Sequence, residues 1–389
     1  MYPRSLPIQD HSFFLFGPRA TGKTTWLRNH YPNALHVNLL LDEEYMPLLA
    51  SPALLRQRVE ALPSGSWVIV DEVQRLPVLL NEVQELITRH GARYRYALSG
   101  SSARKLRRLD VNLLAGRVIE RQMFPLVARE LGADFSLARA LRFGTLPDAH
   151  AQPEHARDIL RAYANTYLRQ EIQQEALVKD VGSFHRFLRV AAILHGQVVN
   201  VAGVARDAGI ARTTVHRHFD VLIDTLVGFF LPAWMPRARV RERAKPKFYF
   251  FDPGVTRSLS GNADSPLGEA EAGALFEGYV VGEMRAAIAY QNLGGELGYW
   301  QTAGTKEVDV VWQRGPRSLG VEVKATSTFR RSHATTLGQL VETGKLERGI
   351  VVYRGRERLV VGKVEVMPAE DFFQALYEGL LPLPDASMH

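Results

Sequence analysis

The chain has 389 residues, of which 46% are hydrophobic and 23% charged, with a formal net charge of +7 and no cysteine. That length exceeds what one core usually supports, so two or three domains are expected; the missing cysteine excludes disulfides, thiolate metal sites and cysteine nucleophiles. The basic excess suits phosphate-rich partners such as nucleic acid and equally suits a plain solvated surface, while the absence of a leader pattern or a long apolar span predicts a cytoplasmic protein that contacts no membrane.

Taken from the N-terminus, a short apolar run from Phe13 to Phe16 stops at Gly17, and helical character begins at Thr24. Further apolar runs at Ala34 to Leu40, Trp67 to Val70 and Tyr94 to Leu98 are separated by stretches long enough for crossover helices. This alternation predicts an α/β fold whose first part is a parallel sheet covered on both faces.

Between the first strand and the first helix stands Gly17-Pro18-Arg19-Ala20-Thr21-Gly22-Lys23-Thr24-Thr25. Phosphate is densely charged, so a cradle for it needs inward backbone N–H groups, a helix N-terminus and a cation. Gly17 and Gly22 permit the tight loop, Lys23 is expected to reach the β- and γ-phosphates of ATP, and Thr24 to hold Mg²⁺. The third run ends in Asp71 and Glu72. Asp71 is expected to hold the same Mg²⁺ through water, and Glu72 to polarise the attacking water. The fourth ends at Ser99-Gly100-Ser101-Ser102, where Ser99 can sense the γ-phosphate or simply belong to a turn. Of the cations that follow, Arg104, Lys105, Arg107 and Arg108, one is a candidate arginine finger in a ring-shaped homo-oligomer, against the plainer reading of a solvated face.

From about Ala151 to Val181 the spacing is helical, as Ile159, Tyr163 and Tyr167 illustrate. A helix-turn-helix follows. Asn200 caps a helix over Val201 to Ala208, Gly209 makes the turn, and a second helix starts near Arg212. Val215, Phe219 and Leu222 share a face and are expected in the core, which leaves Arg212, Thr213, His216 and Arg217 for phosphates and base edges of DNA. Arg237, Arg239, Arg241, Arg243, Lys245 and Lys247 then alternate, so an extended chain would place six cations along one side, either tracking a phosphate backbone or lying in a solvated linker.

The last part reads as α/β, with strand-like runs at Phe248 to Phe251, Glu307 to Trp312, Gly320 to Lys324 and Gly349 to Tyr353. Glu277 lies in a helical run, Asp309 interrupts a strand, and alternation puts Glu322 and Lys324 on one strand face. This set resembles the PD-(D/E)xK nuclease constellation. In that reading Asp309 and Glu322 hold Mg²⁺, Lys324 orients water, and Glu277 completes the site. An inactive nuclease-like module and ordinary exposed charges, Glu307 among them, remain open beside it.

Gly17-Pro-Arg with Gly22-Lys-Thr-Thr, Val70-Asp-Glu-Val-Gln-Arg-Leu-Pro77, Ser99 to Ser102, Ala115-Gly-Arg117 and Phe124-Pro-Leu126 together resemble prokaryotic AAA+ (AAA-type) ATPases joined to a C-terminal domain of unknown function, number 4143. The resemblance continues through Tyr167-Leu-Arg, the helix-turn-helix, Lys247 to Gly254, Phe276-Glu277, Val308-Asp309 and Val321 to Lys324. The single Gly144 where the family has a glycine pair, and Glu171 where it has aspartate, are departures. The resemblance implies a AAA-like core at 1–130, a helical lid or connector at 131–182, a winged helix at 183–247 and a restriction-endonuclease-like domain at 248–389. The expected activity is Mg²⁺-dependent ATP hydrolysis by a homo-oligomer that remodels or translocates on duplex or branched DNA, with metal-dependent cutting as an added option. A nucleotide-driven switch that docks a protein partner, with an inactive nuclease-like domain, stays open, as does a nuclease whose assembly ATP gates.

Overall fold

The computed structural model describes residues 2–101, 114, 116–167, 180–235, 245–302 and 306–381. Contacts divide the chain into one unit built from residues 3–124 with 224–227, and a second containing 125–223 and 228 onward.

The first unit is built on a five-stranded sheet in the order β2-β3-β4-β1-β5, with β1 Phe13–Phe16, β2 Leu35–Asn38, β3 Trp67–Asp71, β4 Arg95–Gly100 and β5 Ile119–Gln122. Every pairing in it is parallel, as the alternation of runs and helices requires. Helices α1 (Lys23–His30), α2 (Asp42–Ala50), α3 (Ala53–Glu60) and α4 (Leu79–His90) supply its crossovers. In α4, Leu79, Val83 and Leu86 recur at helical spacing and are fully buried, while Glu85 and Arg89 face out. Four strands are the apolar runs visible in the sequence. The fifth, β5, is the edge strand Ile-Glu-Arg-Gln, too polar to announce itself.

Register fixes what the sheet presents. Phe16 pairs with Gly100, Leu15 with Ser99, and Val70 with Leu98. Parallel strands in this alignment deliver Gly17, Asp71 and Ser99 to one rim, the carboxyl ends where α/β sheets gather ligands.

In the second unit, α5 (Leu137–Phe143), α6 (Pro147–Ala151) and α7 (Ala156–Ala162) precede a compact group of α8 (Val181–Ile193), α9 (Val201–Ala208) and α10 (Arg212–Asp224). An antiparallel hairpin of β6 (Gly228–Leu231) and β7 (Lys247–Phe250) closes that group, with Phe219 of α10 against Phe230 and Phe248, ring centroids 5.5 and 4.9 Å away. Beyond α11 (Pro253–Ser260) comes the long α12 (Glu269–Tyr290), then a mixed six-stranded sheet in the order β12-β13-β11-β10-β9-β8. Its strands are β8 Glu296–Gln301, β9 Glu307–Arg314, β10 Arg317–Lys324, β11 Arg348–Tyr353, β12 Leu359–Val361 and β13 Val364–Pro368. Phe276, Val280 and Met284 of α12 pack on Val310, Val321 and Val323, with α14 (Ala369–Ala375) adding Phe372 and Phe373. Leu337 and Leu340 of α13 (Thr335–Glu342) join Val308, Val311 and Val351 in a separate cluster. Among the described residues no helix is long and apolar enough to cross a membrane.

Two buried carboxylates brace the helices. Asp252 caps α11 by accepting the Val255 N–H, and Glu283 of α12 accepts the Ala128 N–H at 2.7 Å. Gly144 has φ +68° and lies so close to Asp252 that a Cβ there would sit 2.0 Å from a carboxylate oxygen, so only glycine fits.

Candidate functional site

The loop from Gly17 to Thr24 leaves β1 and enters α1 through Gly22, whose φ of 90° makes it a left-handed N-cap with no side-chain capping bond. The N-terminal N–H groups of α1 are therefore not capped by a side chain, and Gly22 contributes none that would block an anion. Ala20 also stands at φ 63°, a conformation that costs a non-glycine residue energy and is held here by the loop. Thr21 is fully buried and donates to the Pro18 carbonyl at 2.8 Å, tying the loop to itself. Lys23 is 5% exposed, and its Nζ donates to the carbonyls of Gly17 and Pro18 at 2.8 and 3.0 Å, so the ammonium is held inside the loop. Thr25 faces outward on the next helical position.

Opposite the loop, Asp71 is fully buried at the end of β3. One of its oxygens accepts from Thr24 Oγ1 at 2.6 Å and the other from the Ser99 hydroxyl. Thr24 and Asp71, expected to share Mg²⁺, are thus brought together. Glu72 follows in the left-handed region at φ 59° and is mostly buried. Its backbone N–H donates to Ser99 Oγ at 3.4 Å, and its carboxylate accepts from Gln74 Nε2 at 2.5 Å. Gln74 donates a second bond to Ser101 Oγ at 3.0 Å. Gln74 lies inside the acidic motif yet had no role in the sequence reading; only contact with Glu72 reveals one. Ser102, Arg104, Lys105, Arg107 and Arg108 lie outside the described residues.

In the second unit, α9 is capped by Asn200, which accepts the Gly203 N–H at 3.2 Å, and ends at Gly209 with φ 65° before α10 starts at Arg212. Val215, Phe219 and Leu222 are buried, and Arg212, Thr213, His216 and Arg217 are exposed. His218 is the addition. It is 4% exposed between Phe184 and Phe187, and burial lowers its pKa to about 4, so it is a neutral core residue. A groove of about 580 Å³ runs beside Arg212 and His216, bounded by Val199, Phe219, Phe230 and Lys245.

The proposed row of six basic residues requires a correction. Lys245 is exposed, but Lys247 is 4% exposed on β7, because its side chain turns inward to a carboxylate cluster. Arg237, Arg239, Arg241 and Arg243 lie outside the described residues, as do Ala115, Leu168, Arg169 and Glu171.

That cluster sits in a cavity of about 520 Å³ lined by Lys247, Glu277, Glu307, Asp309, Glu322 and Lys324, among others. Glu277 comes from α12, Glu307 and Asp309 from one face of β9, and Glu322 and Lys324 from one face of β10, as strand alternation demands. Gly278 lets α12 approach, since a Cβ there would meet the His195 ring at 2.3 Å. Lys247 Nζ bonds Glu277 Oε1 at 2.7 Å and also pairs with Glu307, while the Tyr249 hydroxyl donates to the same Glu277 oxygen at 2.5 Å. Asp309 accepts the Val323 N–H at 2.7 Å, and Lys324 Nζ bonds Glu322 Oε1 at 2.5 Å. Burial raises the pKa of Glu277, Asp309 and Glu322. It pulls Lys247 down, but the charges of Glu277, Asp309 and Glu307 outweigh it and hold that ammonium above its ordinary value. Oxygens of Glu277, Glu307 and Asp309 lie within 4.8 Å of one another, a spacing and a hard-oxygen chemistry that fit a divalent cation. Of the four residues expected to share a site, all line one cavity. Glu307, not Glu322, is the third member of the tight group.

Family models match an AAA domain over residues 9–132, a domain of unknown function (DUF8612) over 134–265 and a domain of unknown function (DUF4143) over 272–372. Among curated proteins, the uncharacterized proteins Mb2031c of Mycobacterium bovis and Rv2008c of Mycobacterium tuberculosis are each 30% identical over 363 residues, which is 92% of this chain and 79% of theirs. Solved structures show slighter likenesses. A RuvB variant from Thermotoga maritima matches with TM-score 0.30 and 17% identity over 57% of this chain and 82% of its own. The Aeropyrum pernix ORC1 protein in complex with DNA matches with TM-score 0.29 and 11% identity over 66% of this chain and 87% of its own. Likenesses of that size carry no argument about this chain.

Proposed function

Since this chain belongs to the same family as the mycobacterial proteins Mb2031c and Rv2008c, and joins an AAA domain to DUF4143, we propose that it is a Mg²⁺-dependent ATPase that works on DNA. The observation that carries the ATPase reading is the convergence of Lys23, Thr24, Asp71 and Glu72, with Thr24 and Asp71 2.6 Å apart. Lys23 places its charge on the β- and γ-phosphates, and Thr24 with Asp71 holds the ion. Bound there, Mg²⁺ supplies positive charge to the phosphate oxygens. Glu72, held by Gln74, orients water for in-line attack. ATP turnover measured in Mg²⁺, alone and with duplex, single-stranded and four-way DNA, tests this function. Stimulation by one of these DNAs is expected. ATP turnover with no response to any of them favours a protein-docking switch, and no turnover at all ends the ATPase reading.

The DNA reading assigns α8, α9, α10 and the β6–β7 hairpin to a winged helix-turn-helix, with Arg212, Thr213, His216 and Arg217 toward DNA. It is supported by the exposed cations at the start of α10 and the basic rim of the neighbouring groove. A homo-oligomer is the assembly that an AAA-type core would use, and a sizing experiment with and without ATP reads it.

We further assign the DUF4143 region a PD-(D/E)xK nuclease-like site. Support comes from the junction of Glu277, Asp309, Glu322 and Lys324 in one cavity. A divalent ion there would neutralise charge on a scissile phosphodiester, Glu277, Glu307 and Asp309 would hold it, and Lys324 would position the attacking water. Nicking of linear, single-stranded or branched DNA with Mg²⁺ or Mn²⁺ is expected, with loss in Asp309→Ala and Lys324→Ala and ATP turnover largely kept. If no DNA is cut with either metal, the domain is an inactive nuclease-like module.

A further inference from the structure

The carboxylate cavity already holds a cation, and it is part of the chain. Lys247 reaches in from β7 with its side chain 5% exposed, bonded to Glu277 and paired with Glu307, its ammonium also 5.3 Å from the Tyr299 ring. These are two of the three carboxylates whose oxygens cluster within 4.8 Å. Independently, Glu322 Oε2 is buried in the same cavity with no hydrogen-bond partner among the described residues, an acceptor left over beside Lys324. A buried carboxylate oxygen without a donor is costly, and a metal or its water shell would satisfy it. From these contacts we infer that Lys247 is the resident counter-cation of a divalent metal site made by Glu277, Glu307 and Asp309, and that the ammonium and the metal exclude each other.

The reason is electrostatic. An ammonium within hydrogen-bonding distance of Glu277 and Glu307 stands where an ion liganded by them would stand, and two cations at such separation repel strongly in a buried site. A divalent ion must therefore displace Lys247 from both carboxylates. The ammonium then swings out of the cavity, two residues from the exposed Lys245 that borders the groove beside α10. Metal occupancy thereby sets whether the segment entering β7 offers one cation, Lys245, or two at that groove. This inference rests on reading the cavity as a divalent-cation site.

The test uses the full chain without nucleotide, titrated with Mn²⁺, and counts only binding that Asp309→Asn removes. Lys247→Met keeps the aliphatic stem against Tyr299 and removes the charge. Its Mn²⁺ affinity is expected to exceed the wild-type value by about tenfold or more. In wild-type protein, reductive methylation of Lys247 read by mass spectrometry is expected to rise several-fold on adding saturating Mn²⁺, a readout that does not depend on the variant folding. Equal affinity in the two proteins, or Lys247 labelling that stays flat while Mn²⁺ is bound, overturns the exclusion and leaves the metal site standing. Absence of any Asp309-dependent Mn²⁺ binding in either protein overturns both.

Discussion

Asp252 accepts the backbone N–H of Thr145 at 2.7 Å across a sequence separation of 107 residues, while its other oxygen accepts the Val255 N–H at 2.9 Å. One carboxylate therefore satisfies two donors on two different helices' approaches, with Gly144 stripped of a side chain to let it in. Asn at 252 would present an NH₂ group to one of those N–H donors, so it repairs only half the loss. Asp252→Ala and Asp252→Asn are both expected to destabilise the second unit by roughly 1–3 kcal/mol. Denaturant melts followed by a probe in that unit check this, and a wild-type midpoint in the Asn variant would show that the bonds contribute little.

In the proposed nucleotide site, Lys23, Glu72 and Gln74 are expected to separate by role. Lys23→Ala is expected to abolish nucleotide binding or turnover. Glu72→Gln should keep binding and lose turnover by about 10²–10³-fold, since of the reacting groups its carboxylate is proposed to meet only the attacking water. Gln74 acts through Glu72, so Gln74→Ala is expected to lower kcat by about tenfold with KM nearly unchanged. Steady-state kinetics with nucleotide-binding measurements separate these, and a Gln74 variant that moves KM alone would make it a binding residue instead.

For DNA, Arg212 and Arg217 extend from the exposed face of α10. Replacing both by Ala is expected to weaken binding and flatten the log–log salt dependence by about two, near 0.9 per phosphate contact on duplex. Affinity measured at several salt concentrations decides it. An unchanged slope would move the interface off this helix.

Glu283 gives the pH prediction. It is 2% exposed, and burial lifts its pKa from 4.5 to about 8 against the opposing pull of the Ala128 N–H. The folded chain thus keeps a proton that the unfolded chain releases, so stability falls as pH rises from 4.5 toward 8, by at most about 1.4 kcal/mol per pH unit for this one proton. Glu283→Gln can still accept the Ala128 N–H through its carbonyl oxygen. Its stability curve is expected to be flatter than wild type between pH 6 and 8.5 and to lie above it at the alkaline end. Parallel curves for the two proteins would mean that Glu283 does not titrate in this range.

How much of this was legible from sequence depended on how local the signal was. Lys23, Thr24, Asp71 and Glu72 stand in short contiguous motifs at strand ends, where type and spacing specify geometry. The helix pair over Val201–Ala208 and Arg212–Asp224 followed from its cap, its glycine and its apolar spacing. Lys247 was misread because alternation places it in a basic row, while the carboxylates that draw it inward lie 30 and 60 residues further along. Its own neighbours carry no sign of them. His218 was within reach, for it follows Val215 by three and precedes Phe219 by one, which puts it on the buried face despite its polarity. The edge strand β5 stayed hidden, because a strand with one unpaired side needs neither an apolar run nor a clean alternation.

Gly17, Asp71 and Ser99 all leave the first unit's sheet by a single rim, and that asymmetry tells a protein engineer where the chain tolerates lengthening. The opposite rim carries the turn before β3, where Ser64 and Gly65 are exposed and Gly65 takes φ +86°, and the bend at Gly91 and Ala92 before β4. Extra residues inserted in either turn would add loop beyond the amino ends of the strands, far along β3 and β4 from Asp71 and Ser99. A single residue inserted inside β3 would reverse the facing of the strand residues after it and turn Asp71 away from Thr24. A peptide tag or a fluorescent reporter therefore belongs at Ser64–Gly65, where its attachment is expected to leave the strand register, and with it the meeting of Asp71 with Thr24, untouched.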